Sequence, residues 1–246
     1  MIRKSRFVVA LGLVLALGVA GIAFADGTSE NEATVFGKVT PKKLDKKKYK
    51  PVQLYTGVAT TTTTAIPDQQ NPEVELIEFG KNVKLDNSKA DLCTAPLAGT
   101  TTDQAKAACP PGSNLGQGVA HANLGGPSEV TDVTVTAFNG PGDDQLRLHA
   151  YTPTLGAANT QVVNGTIIKA PSGGKYGQAL SVPDAPDLGG DAFMLTLFDA
   201  TITKQSKVVT ARCKAKKFLW QRTVTYDDGT QDVATLEQKC KRKKSN

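Results

Sequence analysis

The 246-residue sequence predicts an all-β protein, a single antiparallel β-sandwich of jelly-roll or Ig-like type, with one short helix and two disulfides. Three observations predict it. Thr is abundant, at 28 residues, whereas Glu and Met number only 7 and 2; β-branched residues suit strands, and Glu and Met suit helices. Short runs alternate apolar and polar side chains between Gly, Pro, Asn and Asp turns. The four Cys fall into two pairs, each close in sequence and far from the other.

The elements follow in order. Arg3, Lys4 and Arg6 precede the uncharged run 7–25, which ends in Ala23-Phe24-Ala25. That is the layout of a cleaved secretory signal over 1–25. Residues 26–33 read as a flexible segment, 34–240 as the sandwich domain, and 241–246 as a basic tail. Thr34–Val39 and 52–58 are strand candidates, and the Thr- and Pro-rich stretch 60–72 reads as an extended surface loop. Val74–Phe79 and Val83–Leu85 read as a hairpin about Gly80-Lys81-Asn82. Thr102–Ala108 reads as the short helix: Thr101 or Thr102 can cap it, Asp103 suits its N-terminal dipole, and Pro110-Pro111 stop it.

Beyond it, Val133, Val135 and Ala137 alternate with polar neighbours, as do Leu146, Leu148 and Ala150 on the far side of the turn Asn139–Asp144. Later strands are 162–168, 178–182, 192–198 and 208–213. Phe218, Trp220, Val224 and Tyr226 share one face of a long strand, with Arg222 the exception, and Asp227-Asp228-Gly229 turns it into 232–239.

Export places the four Cys in an oxidising compartment. Spacing pairs Cys93 with Cys109 and Cys213 with Cys240. The absence of any C-x-x-C and the distance of both His from the Cys argue against a metal or redox site.

The charge is divided. Residues 26–50 carry net +3, 51–203 net −8 and 204–246 net +8. The basic groups gather at Lys46, Lys47 and Lys48 and again at Lys241, Arg242, Lys243 and Lys244. They point to an anionic cell-wall polymer or acidic polysaccharide as partner. A solvated tail is the plainer account. Nucleic acid is not expected, because the chain is exported and has few aromatics for base stacking; membrane contact is not expected once the signal is cleaved.

The chemistry-bearing motifs are sparse. There is no Gly-x-Ser-x-Gly, no His-Glu-x-x-His and no dinucleotide fingerprint. Arg147, His149 and Tyr151 lie on one face of a strand, opposite Leu146 and Leu148, and could line a groove for an anion or sugar. Glu73, Glu75 and Glu78 could supply paired carboxylates, but read first as a solvated strand face. Asp-rich turns could bind calcium, but Asp is an ordinary turn residue. The sequence thus reads as a non-enzymatic, cofactor-free binding or structural module of the envelope or extracellular space, without a metal. A carbohydrate-binding or carbohydrate-active sandwich is the alternative.

Several local patterns recur together: Val39-Thr-Pro-Lys-Lys-Leu44, Ile77-Glu-Phe79-Gly-Lys-Asn82-Val-Lys-Leu-Asp86, Ala105-Lys-Ala-Ala-Cys109-Pro110, Ala137-Phe138-Asn139-Gly140, and Tyr226-Asp-Asp-Gly229 before Cys240. In these the chain resembles secreted proteins of actinobacteria that have no assigned activity. The resemblance spans 34–240 and implies a secreted bacterial β-protein, with no functional residues to carry over.

Overall fold

A computed structural model describes residues 31–62, 72–123, 129–183, 194–226 and 228–243. The expected signal over 1–25, Lys244 and the Asp residues at 184, 187, 191 and 227 lie outside these. The strands are β1 (Asn31–Thr40), β2 (Lys43–Leu44), β3 (Lys50–Pro51), β4 (Gln53–Thr62), β5 (Pro72–Gly80) and β6 (Val83–Leu85), followed by the helix α1 (Thr102–Ala108). Then come β7 (Asn114–Asn123), β8 (Glu129–Asn139), β9 (Gln145–Tyr151), β10 (Gln161–Lys169), β11 (Tyr176–Pro183) and β12 (Met194–Ile202). The chain ends with β13 (Val209–Ala211), β14 (Lys217–Tyr226), β15 (Gln231–Lys239) and β16 (Lys241–Arg242).

Among the described residues the protein is mainly antiparallel β with one α-helix, and it holds both expected disulfides, Cys93–Cys109 and Cys213–Cys240. It departs from the expected two-sheet sandwich. Eleven strands form one sheet in the order β1-β4-β12-β7-β8-β9-β10-β11-β5-β14-β15. The sheet curls until its two end strands lie against each other. No strand ladder joins them, so side chains form the seam. Gln238 on β15 accepts the Val39 N–H of β1 at 2.8 Å.

The seam dictates local residue choice. Trp220 is wholly buried and its indole covers Gly37 of β1. A Cβ at position 37 would lie 2.3 Å from Trp220 Cε2, so only glycine lets β1 come this close. Arg222, the exception in its row of apolar residues, faces inward with that row and is 2% exposed. Its Nε donates to Glu75 of β5 at 3.0 Å, its Nη1 to the Ala59 carbonyl at 2.6 Å, and its Nη2 to the Thr60 hydroxyl at 2.9 Å. A longer Nη1 contact reaches the Thr34 carbonyl of β1. One side chain therefore ties β14 to β5 on one side and to β4 and β1 across the seam.

One end of the curled sheet has a floor. It is made of the three-stranded sheet β3-β13-β6 and the parallel pair β16-β2. Leu44, Val52, Val83, Leu85, Val208, Val209 and Ala211 are buried there. The expected hairpin between 74–79 and 83–85 is absent, because β6 pairs with β13 instead. Asn82 redirects the chain: its side chain donates to the Lys217 carbonyl and accepts from the Lys214 N–H. Gln178, on the inner face of β11, then grips both backbone groups of Leu85.

Residues 87–113 form an outer layer over β8 and β9. The helix keeps its expected bounds, with Thr101 and Gln104 forming a reciprocal capping box. Two terminal expectations are corrected. Residues 31–33 belong to β1, paired with β4, instead of a flexible segment. Lys241–Arg242 form a strand with Lys43–Leu44 instead of a free tail.

Overfilling the seam should be costly. Gly37→Ala is expected to lower the unfolding free energy by about 1–3 kcal/mol, the usual range for forcing added methyls into a packed core. Urea denaturation monitored by Trp220 fluorescence measures it.

Candidate functional site

The expected groove at Arg147, His149 and Tyr151 is occupied by the chain itself. The three do lie on the outer face of β9, as the alternation requires. Residues 87–113 cover that face through a small core of Cys93, Leu97, Ala105, Cys109 and Phe138. Arg147 donates to the Ala95 carbonyl at 2.7 Å. His149 is fully buried, with Nε2 3.1 Å from the Thr100 carbonyl. The Thr100 hydroxyl, 3.0 Å from Nε2, donates to the Leu97 carbonyl, so Nε2 faces two acceptors and carries the proton, and Nδ1 has no hydrogen-bond partner. Burial holds His149 below its ordinary value, outweighing the Thr100 contact. Arg147 and His149 thus fasten this layer, whereas Tyr151 stays part-exposed beside it.

Glu75 and Glu78 point to opposite faces of β5, and Glu73 is exposed at its start. Glu75 faces inward onto Arg222, whereas Glu78 faces outward and accepts from Ser172 and Gln221. Trp220 and Tyr226, the aromatics a sugar platform would need, are buried. Burial and the neighbouring Asp199 carboxylate push Tyr55 up to about 12, so it stays a neutral donor. Among the described residues, no group of three His, Cys, Asp or Glu could hold a metal ion, and no helix is long and apolar enough to cross a membrane.

Two features remain. The first is the floor end, where the two basic sequence segments meet. Lys241 pairs with Lys43 in the parallel ladder. The Lys241 N–H bonds the Lys42 carbonyl and the Lys243 N–H bonds the Leu44 carbonyl. Arg242 reaches back to the Cys213 and Lys214 carbonyls, so it is a staple in this surface and not a free cation. Cys213–Cys240 locks the same point. Asp45 accepts the Lys47 and Lys48 N–H groups, bonds that hold its carboxyl below the usual range and shape the loop that displays those lysines. Arg212 lies over the Tyr49 ring at 4.5 Å. Lys42, Lys43, Lys46, Lys47, Lys48, Lys50, Lys214, Lys216, Lys239, Lys241 and Lys243 are all exposed. Among the described residues, none of them forms an ion pair.

The second feature is a cavity of about 170 Å³ inside the sheet. The seam half is filled by Phe218, Trp220, Val224 and Tyr226, but the half from β12 to β11 presents mainly Ala, Val and Leu. The lysine clusters were visible in the sequence, and their meeting is what nearby strand ends allow, whereas the cavity left no local signal.

No protein-family model, curated protein or solved structure matches the chain.

The buried histidine should make stability depend on acid. Its folded value lies below the ordinary 6.5, so the unfolded chain takes up the proton first as pH falls. The stability contribution is full above the ordinary value and is lost as pH drops toward the folded one. NMR titration should place His149 below 6.5. The decline in unfolding free energy between about pH 7 and about pH 5 should be shallower in His149→Gln.

Proposed function

We propose that the protein is an exported, non-enzymatic binding module that docks on an anionic cell-envelope polymer or acidic polysaccharide through its basic pole. The observation that carries this reading is the junction of residues 42–50 with 239–243 into one surface by the β2–β16 ladder and the Cys213–Cys240 bond. Like charges repel when gathered, so a lysine-rich pole held by a strand pair and a disulfide favours an occupant that neutralises it. Export is supported by the Ala23-Phe24-Ala25 leader pattern and by the two disulfides. The resemblance to secreted actinobacterial proteins agrees with a bacterial envelope setting.

The mechanism is multivalent point-charge contact. Each exposed lysine adds a weak attraction, and a repeating anion engages several at once. Binding should therefore be broad in polymer chemistry and steep in salt.

Retention on immobilised poly(glycerol phosphate) and on polygalacturonate is the test. The combined substitution of Lys43, Lys46, Lys47, Lys48, Lys241 and Lys243 by Gln should weaken low-salt retention at least about tenfold and flatten its salt dependence. Arg242 is left intact because it holds the surface together. Unchanged retention in the folded variant would refute the reading.

A further inference from the structure

We infer that the cavity inside the sheet is a binding chamber for one linear alkyl chain carrying an uncharged or cationic head group. This does not depend on the polyanion reading, since the chamber and the lysine pole rest on different residues.

The chamber extends along the strands. Its lining runs along β12 from Leu195 to Ile202, seven residue steps or about 23 Å of strand. Its volume is about 170 Å³, near that of a dry cavity that holds one benzene ring. A small volume spread along a strand suits a flexible unbranched chain better than a fused ring. The walls are aliphatic, with Val135, Ala137, Leu146, Leu148, Val163 and Leu180 among them. Of the few polar side chains in the lining, only Thr56 lies deep, and its hydroxyl donates to the Phe36 carbonyl at 3.4 Å. Glu75 is held by Arg222 and Thr152 donates to Asp132, whereas Asn159 and Gln161 lie at the start of β10. A sugar or nucleotide would find no partners within.

Exposure locates the mouth. Lining residues near the floor, such as Leu54, Ile77, Phe79, Ala137 and Ile202, are buried. Those toward the opposite end, including Pro72, Val130, Leu155, Asn159 and Pro183, are partly or fully exposed. The described carboxylates around this end are Glu32, Glu73, Glu129, Asp132, Asp228 and the buried Asp232, at strand starts or in the β14–β15 turn, with His121 3.9 Å from Glu129. Among the described residues no lysine lies at these strand ends, and Arg222 is already committed to Glu75 and backbone carbonyls. A carboxylate head would enter a field of its own sign; an alcohol or amine would not.

The experiment displaces N-phenyl-1-naphthylamine, a neutral apolar fluorophore, from the full mature chain with 1-octanol, octylamine and octanoate at neutral pH and low salt. The fluorophore should brighten on binding. Octanol and octylamine should displace it at least tenfold more effectively than octanoate, and added salt should narrow that gap. Ala137→Leu and Ala150→Leu, which place methyl groups into the chamber, should each reduce binding of fluorophore and octanol alike, with the circular dichroism of the parent retained. If either variant fails to fold, the other and the parent's head-group series still decide. No displacement by any octyl compound up to its solubility limit, undiminished binding in a folded filled variant, or a preference for octanoate would overturn the proposal. Poly(glycerol phosphate) retention in the same samples is expected to be unchanged by the alanine substitutions, which separates this result from the fate of the lysine pole.

Discussion

The guanidinium of Arg222 holds the two ends of the sheet together. It sits 2% exposed inside the curled sheet, bonded to Glu75 and to groups on the facing strand pair. A buried cation is tolerated only when its donors are met, and removing its partners leaves a costly charge in a dry interior. Here the partners lie on β1, β4 and β5, so the side chain is satisfied only when the ends meet. Burying Trp220 on Gly37 and bonding Gln238 to Val39 continue the same seam from Arg222 toward the floor. An eleven-stranded sheet without these contacts would carry two open edges, each a template for unwanted pairing.

Closure at one seam accounts for the rest of the interior. The bulky aromatics cluster beside β1, where two strand layers meet closely. The opposite wall carries small aliphatic residues that do not reach across, so a cavity follows from the distribution of side-chain size. The ends differ for topological reasons. The connections that contain the lysine-rich segments all fall at the floor, and β2 and β16 join them. The described carboxylates at the strand starts fall at the other end. The lysine-rich segments 42–50 and 239–243 thus become one pole of the body.

Much of this was legible in the sequence, and the parts that were not share a cause. The helix Thr102–Ala108, both disulfides and most strands follow from local patterns: a capping residue, short Cys spacing, alternation between turns. Alternation states which side chains share a face. It does not state which strand lies beside which, so Val83–Leu85 looked like a hairpin partner of β5 although it pairs with β13. It could not distinguish a sandwich from a curled sheet, because both need the same period. Nor could it tell an exposed outer face from one covered by another segment, and so His149 looked open. Arg222 broke its apolar row in the sequence, and that break marked the seam, but its partners lie 147 to 188 residues away.

The most direct test of the seam is native-state amide hydrogen exchange in Arg222→Met. The account predicts that β1 amides bonded to β4 lose several kcal/mol of protection, whereas β8, β9 and β10 lose clearly less, because the seam opens before the sheet unfolds. Unchanged protection of β1, or an equal loss across all strands, would contradict it.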